Sequence, residues 1–256
     1  MLLGVNIDHI ATLREARKIN EPNPLEAIFI LKNAGASQVT LHLREDRRHI
    51  HDEDFKAIIS QSFLPVNLEC ASSMIDTISP YSPHRVTLVP EKREEVTTEG
   101  GLNLEQEQVK QAIKKLQFHS IPTSLFIDPK IENIKLAKEL GVQSIELHTG
   151  EWANLFLMAY TNLRHTHNSI PSLELPAEAL EERMRQSLKE LKECSSLAKE
   201  LGLEVFAGHG LNYQNVAPIA SIPEITELNI GHAIIARSIF VGLFEAIREM
   251  KELIKR

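Results

Sequence analysis

The 256-residue chain has only two cysteines, Cys70 and Cys194, far apart and in no Cys-x-x-Cys pair. No disulfide framework is implied, and a reducing cytoplasm suits such a sequence. Aromatic residues make up 5% of the chain while 43% is hydrophobic, so the expected core is aliphatic. No apolar run reaches the ~18 residues of a membrane span. The opening MLLGVNIDHI is apolar but short, lacks a basic leader and is interrupted by Asp8 and His9, so it reads as a strand and not as a signal peptide. Basic charge is also short: 28 Lys and Arg stand against 35 Asp and Glu, a formal charge of −7. Nucleic-acid binding needs clustered cations to displace counterions, so no nucleic-acid partner is expected. A local basic pocket for a phosphorylated metabolite remains compatible with that balance. No Gly-x-Gly-x-x-Gly follows the first strand, which counts against a dinucleotide-binding open sheet.

What is present is a rhythm. Short β-rich runs at 2–8, 38–42, 66–70, 85–89, 123–127, 144–148, 204–207 and 227–230 alternate with helical stretches. Several runs read as nearly continuous apolar segments, the pattern of parallel strands covered on both faces. A helix is predicted over 24–34, with Leu25, Ile28 and Phe29 on one face, and others over 132–140 and 178–201. Gly35, Gly141 and Gly202 sit where a left-handed cap would end each of these. The recurring phrase is helix, glycine, strand: AGASQVTLH, ELGVQSIELH, ELGLEVFAGH. Eight βα units of about 32 residues fit a closed (β/α)8 TIM barrel of the α/β class, one domain over 1–256. A doubly wound open sheet is the alternative. From about 152 to 176 the rhythm stretches, and an insertion is expected there.

Residues capable of chemistry gather at the carboxyl ends of the predicted strands. They are Asn6-Ile7-Asp8-His9, His42-Leu43-Arg44, Glu69, Pro90-Glu91, Glu146 with His148, Gly208-His209-Gly210 and Asn229-Ile230-Gly231-His232. In a barrel these ends share the face that hosts active sites. One histidine there could be structural; several titratable groups converging imply proton transfer or a metal. Adjacent Asp8 and His9 cannot both point inward from a regular strand, and the His-x-His pairs at 49–51 and 165–167 lie off the strands, so no metal is expected. Gly208, Gly210 and Gly231 would let backbone N–H groups approach a phosphate, with a helix N-terminus behind them.

These same stretches carry a resemblance. GVNIDHIATLREAR, HLREDRRHI, NLE, LVPEKREEVTTEGG, SLFID, IELHTG, AGHGLNYQNV and ELNIGHAIIAR closely resemble the pyridoxine 5'-phosphate synthase family over nearly the whole length. The resemblance implies a (β/α)8 barrel with extra helices, assembled as a cytoplasmic homo-octamer without a cofactor. It implies joining of 1-deoxy-D-xylulose 5-phosphate to 3-amino-2-oxopropyl phosphate, giving pyridoxine 5'-phosphate, phosphate and water. By motif, His42 and Glu69 resemble general bases, His209 a general acid, and Glu146 a group that stabilises transition-state charge. Asp8, His9, Arg44, His49 and Thr97 match positions holding the deoxyxylulose phosphate. Asn6, Arg17, Gly210, Gly231 and His232 match those holding the amino ketone phosphate, with Arg17 serving a neighbouring subunit. Another phosphosugar aldolase or epimerase, and a non-catalytic binding barrel, are the competing classes.

Overall fold

The structure is a computed structural model that describes residues 1–91 and 100–256. Eight parallel strands close in sequence order into one barrel: β1 (Leu2–Asn6), β2 (Gln38–His42), β3 (Val66–Cys70), β4 (Arg85–Leu88), β5 (Thr123–Ile127), β6 (Ser144–His148), β7 (Glu204–Gly208) and β8 (Ile225–Ile230). The closed order excludes the open-sheet alternative. Around them lie α1 (Asp8–Glu15), α2 (Pro24–Asn33), α3 (Asp52–Gln61), α4 (Ile75–Ile78), α5 (Glu107–Phe118), α6 (Ile131–Glu139), α7 (Gly150–Tyr160), α8 (Ala177–Glu200), α9 (Val216–Ala220), α10 (His232–Val241) and α11 (Leu243–Leu253). Two helices, α1 and α2, separate β1 from β2, and two more, α10 and α11, follow β8, so the barrel carries extra helices. Among the described residues no helix is long and apolar enough to cross a membrane.

The punctuation read from the sequence has a physical basis. Asn23 caps α2 by accepting the Leu25 N–H at 3.0 Å, with Pro24 at the first helical position. Gly35, Gly141 and Gly202 all have positive φ (86°, 73° and 77°), the conformation a glycine enters without Cβ strain. At the junction after α5 the same job falls to Ser120, at φ 55°, which is why no glycine announced that helix. On α2 the buried face is Ala27, Ile28 and Leu31, and Phe29 is 61% exposed, so the predicted face is rotated. The stretch expected as an insertion contains the regular helix α7, followed by two short 3-10 turns at Leu163–His165 and Pro171–Leu173.

The reading of several strands as nearly continuous apolar runs holds for Leu125–Ile127 of β5 and Val205–Ala207 of β7, but β2 and β3 alternate. On β2, Val39 and Leu41 alternate with Gln38, Thr40 and His42; on β3, Val66, Leu68 and Cys70 alternate with Asn67 and Glu69. Successive side chains point to opposite faces of a strand. The aliphatic set joins the helices in one hydrophobic core, while the polar set bonds across the lumen: Arg85 of β4 to Glu227 of β8, Asn229 of β8 to Glu146 of β6, Asn6 of β1 to Glu69 of β3. The aliphatic core is therefore a ring between sheet and helices, and the barrel interior is largely polar, with Phe126 and Phe206 among its polar groups.

Candidate active site

The mouth at the carboxyl ends of the strands is built around Asn6. Its side-chain carbonyl accepts the Asp8 N–H at 2.9 Å, which turns the chain out of β1 and into α1. Asp8 and His9 are thus the first turn of a helix and not the end of a strand, and the rule that adjacent strand residues diverge does not apply to them. The Asn6 amide donates to Asp8 Oδ2 at 2.9 Å and, at 3.4 Å, to Glu69 Oε2. Asp8 Oδ1 accepts the His42 backbone N–H at 2.8 Å. Asp8, His42 and Glu69 thereby offer ligand atoms all within 4.8 Å of one another. That spacing would suit a cation, but both Asp8 oxygens already accept hydrogen bonds from the protein.

The electrostatics of this cluster are unusual. Glu69 is partly exposed at the mouth, yet its carboxyl is densely surrounded by protein. Burial pushes its pKa well above the ordinary range, Glu146 and Asp8 push it further, and Arg85 opposes them. Glu146 is 2% exposed; burial and Glu227 raise it to about 7 against the pull of Arg85 and the Asn229 amide, which donates to it at 2.7 Å. His42 Nε2 stands 3.5 Å from Glu91 Oε2, an ion-pair distance, and Glu91 Oε1 accepts the Glu45 N–H at 2.9 Å. Arg44, buried, lies 3.5 Å from Asp46 and 3.7 Å from Glu91. The His49 ring packs edge-on to His42 at 6.2 Å; burial lowers its pKa, aided by His42 and Arg44. Its loop is anchored by buried Arg14, which bonds the His49 carbonyl at 2.9 Å and Asp54 at 2.7 Å. His9 packs on His232 at 4.9 Å, and burial and His232 lower its pKa.

Across the mouth, β7 ends in a strained turn. His209 has φ 83°, a region non-glycine residues rarely enter. The Thr149 hydroxyl, 2.6 Å from the carbonyls of both Gly208 and His209, clamps this turn, and Asn215 donates to the Gly210 carbonyl at 3.1 Å. Gly210, at φ 74°, faces Ala153 so closely that a Cβ would sit 2.6 Å from it. His209 packs on His148 at 5.0 Å, and burial together with His148 drives its pKa down to about 4. Gly231 leads into α10 against Asn6, where a Cβ would come within 2.9 Å of the Asn6 side chain.

The sequence profile of the family described as "Pyridoxal phosphate biosynthesis protein PdxJ" matches residues 3–256. The chain belongs to this family. It is 61% identical over 259 residues to the pyridoxine 5'-phosphate synthase of Aliarcobacter butzleri, covering 100% of this chain and 99% of the relative. It is 59% identical to the enzyme of that name from Wolinella succinogenes, with coverage of 100% and 99%. Among solved structures it resembles a 3-hexulose-6-phosphate synthase (TM-score 0.56, 15% identity, 100% of each chain) and a native KDPGal structure (TM-score 0.59, 10% identity, 99% and 94%). At those identities the likeness is one of fold.

In this PdxJ-family barrel, thirteen of the fourteen residues singled out from the sequence lie within the described chain, and Thr97 lies outside the described residues. Asn6, Asp8, His42 and Glu69 form one hydrogen-bonded cluster. His9 with His232, His49 with His42, and Gly231 with Asn6 are in contact with one another at the same end of the barrel. Glu146 sits deeper, and His209 and Gly210 form the strained turn after β7. Arg17 does not join them: it is exposed after α1, and its side chain makes no hydrogen bond or ion pair with the described residues. Sequence reasoning missed Asp128, which follows β5, the one strand left without a strand-end residue. Asp128 Oδ1 lies 3.1 Å from His148 Nδ1 and accepts the Gly101 N–H at 2.9 Å. It also missed Glu91 as the partner of His42, although LVPEKR placed it after β4.

Proposed function

We propose that this chain catalyses the ring-forming condensation of 1-deoxy-D-xylulose 5-phosphate with 3-amino-2-oxopropyl phosphate, giving pyridoxine 5'-phosphate, one phosphate and two waters, as the committed chemistry of a vitamin B6 pathway. The observation that carries the reading is the cluster of His42, Asp8 and a Glu69 whose pKa is held high. The reaction needs imine formation with loss of water, proton removal next to the imine to expel phosphate, and a second enolisation with loss of the second water. Proton moves at different carbons call for more than one acid–base group. Glu69 with a raised pKa is a stronger base near neutral pH than an ordinary carboxylate, and His42, 3.5 Å from Glu91, is a second base.

His209 takes the part of general acid. With its pKa near 4 it is neutral in the free protein. A dianionic phosphate bound beside it would raise that value, so substrate itself would charge the acid. Glu146, below the mouth, would stabilise positive charge that develops on the nitrogen-bearing intermediate. Asp8, His9, Arg44, His49 and Thr97 are assigned to the deoxyxylulose phosphate; Asn6, Arg17, Gly210, Gly231 and His232 to the amino ketone phosphate. Gly231 at the head of the ten-residue α10 supports an anion site, because a helix N-terminus presents free N–H groups. Arg17, exposed after α1, is assigned to the site of a neighbouring copy in a homo-octamer in the cytoplasm. Neither metal nor cofactor enters this scheme.

The test is a product assay on the purified chain with both substrates, following pyridoxine 5'-phosphate and released phosphate together. Equal accumulation of the two, insensitive to a chelator, is expected. A folded chain that makes neither product overturns the reading, and loss of activity to the chelator would instead put a cation among Asp8, His42 and Glu69.

A further inference from the structure

The barrel interior below the catalytic mouth holds charges that the scheme above does not use. Arg85 (8% exposed) and Glu227 (4%) pair across the full width of the lumen, from β4 to β8. The guanidinium also donates to Asn67 at 3.2 Å and lies 4.1 Å over the Phe206 ring, so it is held from three sides. Glu227 accepts from Gln38 at 2.6 Å; Gln38 donates as well to Asn229 Oδ1 at 3.0 Å, and Thr40 donates to the same oxygen at 3.1 Å. Those two donors fix the Asn229 amide so that its nitrogen points to Glu146. Gly4 makes room for this network, since a Cβ there would sit 2.1 Å from Asn229 Oδ1. The pair lines a cavity of about 400 Å³ at the opposite end of the barrel from the mouth, out of reach of a substrate seated there.

We propose that the buried Arg85–Glu227 pair is a positioning element of the reaction: by its charges, and through Gln38 and Asn229, it holds Glu146 in place and biases whether that carboxyl carries a proton. The inference rests on the ring-forming reading of the mouth. Burial raises both Glu69 and Glu146, and the charge of Glu146 raises Glu69 further. The charged and titratable groups around the two carboxyls are Arg85 from β4, Glu227 from β8, Asp8 from α1 and His42 from β2. At the register of Glu146, β5 and β7 bring only Phe126 and Phe206. Arg85 favours the ionised form of both carboxyls, and Glu227 opposes it at Glu146.

The two partners therefore act with opposite sign, which a merely structural pair would not. The experiment is the pH profile of kcat/KM for wild type, Arg85→Met, Arg85→Lys and Glu227→Gln. In Arg85→Met the acid limb should move up by about one pH unit, the scale of losing a nearby opposite charge. In Glu227→Gln it should move down, and Arg85→Lys should return it close to wild type. If Arg85→Met fails to fold, the double variant Arg85→Met/Glu227→Gln, which buries no unpaired charge, should still show an upward shift, smaller than that of Arg85→Met because the loss of Glu227 partly offsets it. Limbs that stay fixed while rates fall in every variant overturn the inference. A wild type that forms no product overturns the ring-forming reading instead.

Discussion

Strands such as β2 and β3 have two buried faces of opposite chemistry. All five residues of β2 are buried, yet Val39 and Leu41 lie in an aliphatic ring against the helices while Gln38, Thr40 and His42 line a polar lumen. Many (β/α)8 barrels fill the interior with bulky branched side chains. Here that job is left to the outer ring, where burial is non-directional and a fully buried Leu contributes about 1.5–3 kcal/mol. The lumen is stabilised differently. Each polar group must find a partner, and an unmet one costs about 1–3 kcal/mol. Arg85, Glu227, Gln38, Asn229 and Glu146 meet this demand by bonding to one another. The contrast separates two duties: the ring supplies folding free energy, and the lumen places charge.

Glu69→Gln tests the lumen side most sharply. Glutamine matches a protonated Glu69 in shape and can still accept from Asn6, but it cannot take a proton. Turnover should fall by about 10³, within the range for a lost general base, while the thermal midpoint holds or rises. Retained turnover, or a loss of stability without a loss of rate, would dissolve the separation of duties. The mirror experiment is Leu41→Ala in the outer ring. Leu41 is fully buried, and its truncation should cost about 2–5 kcal/mol in a urea titration while turnover per folded molecule stays nearly unchanged. A variant of normal stability and poor turnover would mean that the ring shapes the mouth directly.

Much of this was legible in the sequence, and the part that was not has a definite cause. The glycines at 35, 141 and 202 fixed the order of helix and strand because each needs a positive φ. Strand-end residues such as His42, Glu69 and His209 pointed to the mouth because closure brings those ends together. The polar lumen was written plainly in QVTLH, VNLEC and SIELH, but alternation is the usual sign of a strand with one wet face, and in a parallel barrel both faces are dry. Asp8 reads as strand in the sequence because nothing local shows that the Asn6 side chain will accept its N–H and turn the chain into α1. The strain at His209 was invisible, since the clamp by Thr149 that holds that turn comes from sixty residues earlier in the chain.

The smallest expected effect distinguishes the two regions by the shape of a curve. Glu146 keeps its proton up to about pH 7 in the folded chain, whereas an unfolded carboxyl loses it near 4.5. Between those values the folded state binds more protons, so this group makes stability fall as pH rises, by at most about 3 kcal/mol. His209 acts in the opposite sense. With its folded pKa near 4, the unfolded chain holds the extra proton between about 4 and 6.5, and stability is gained as pH rises through that window. Urea midpoints at pH 5, 6.5 and 8 for wild type, Leu41→Ala and Glu146→Gln separate the contributions. Leu41→Ala should run parallel to wild type, displaced downward. Glu146→Gln removes the falling component that Glu146 contributes, so it should gain on wild type from pH 5 to about 7 and then run level with it to pH 8. A tilted Leu41→Ala curve beside a parallel Glu146→Gln curve would place the proton-linked energy in the ring and not in the lumen, reversing the comparison.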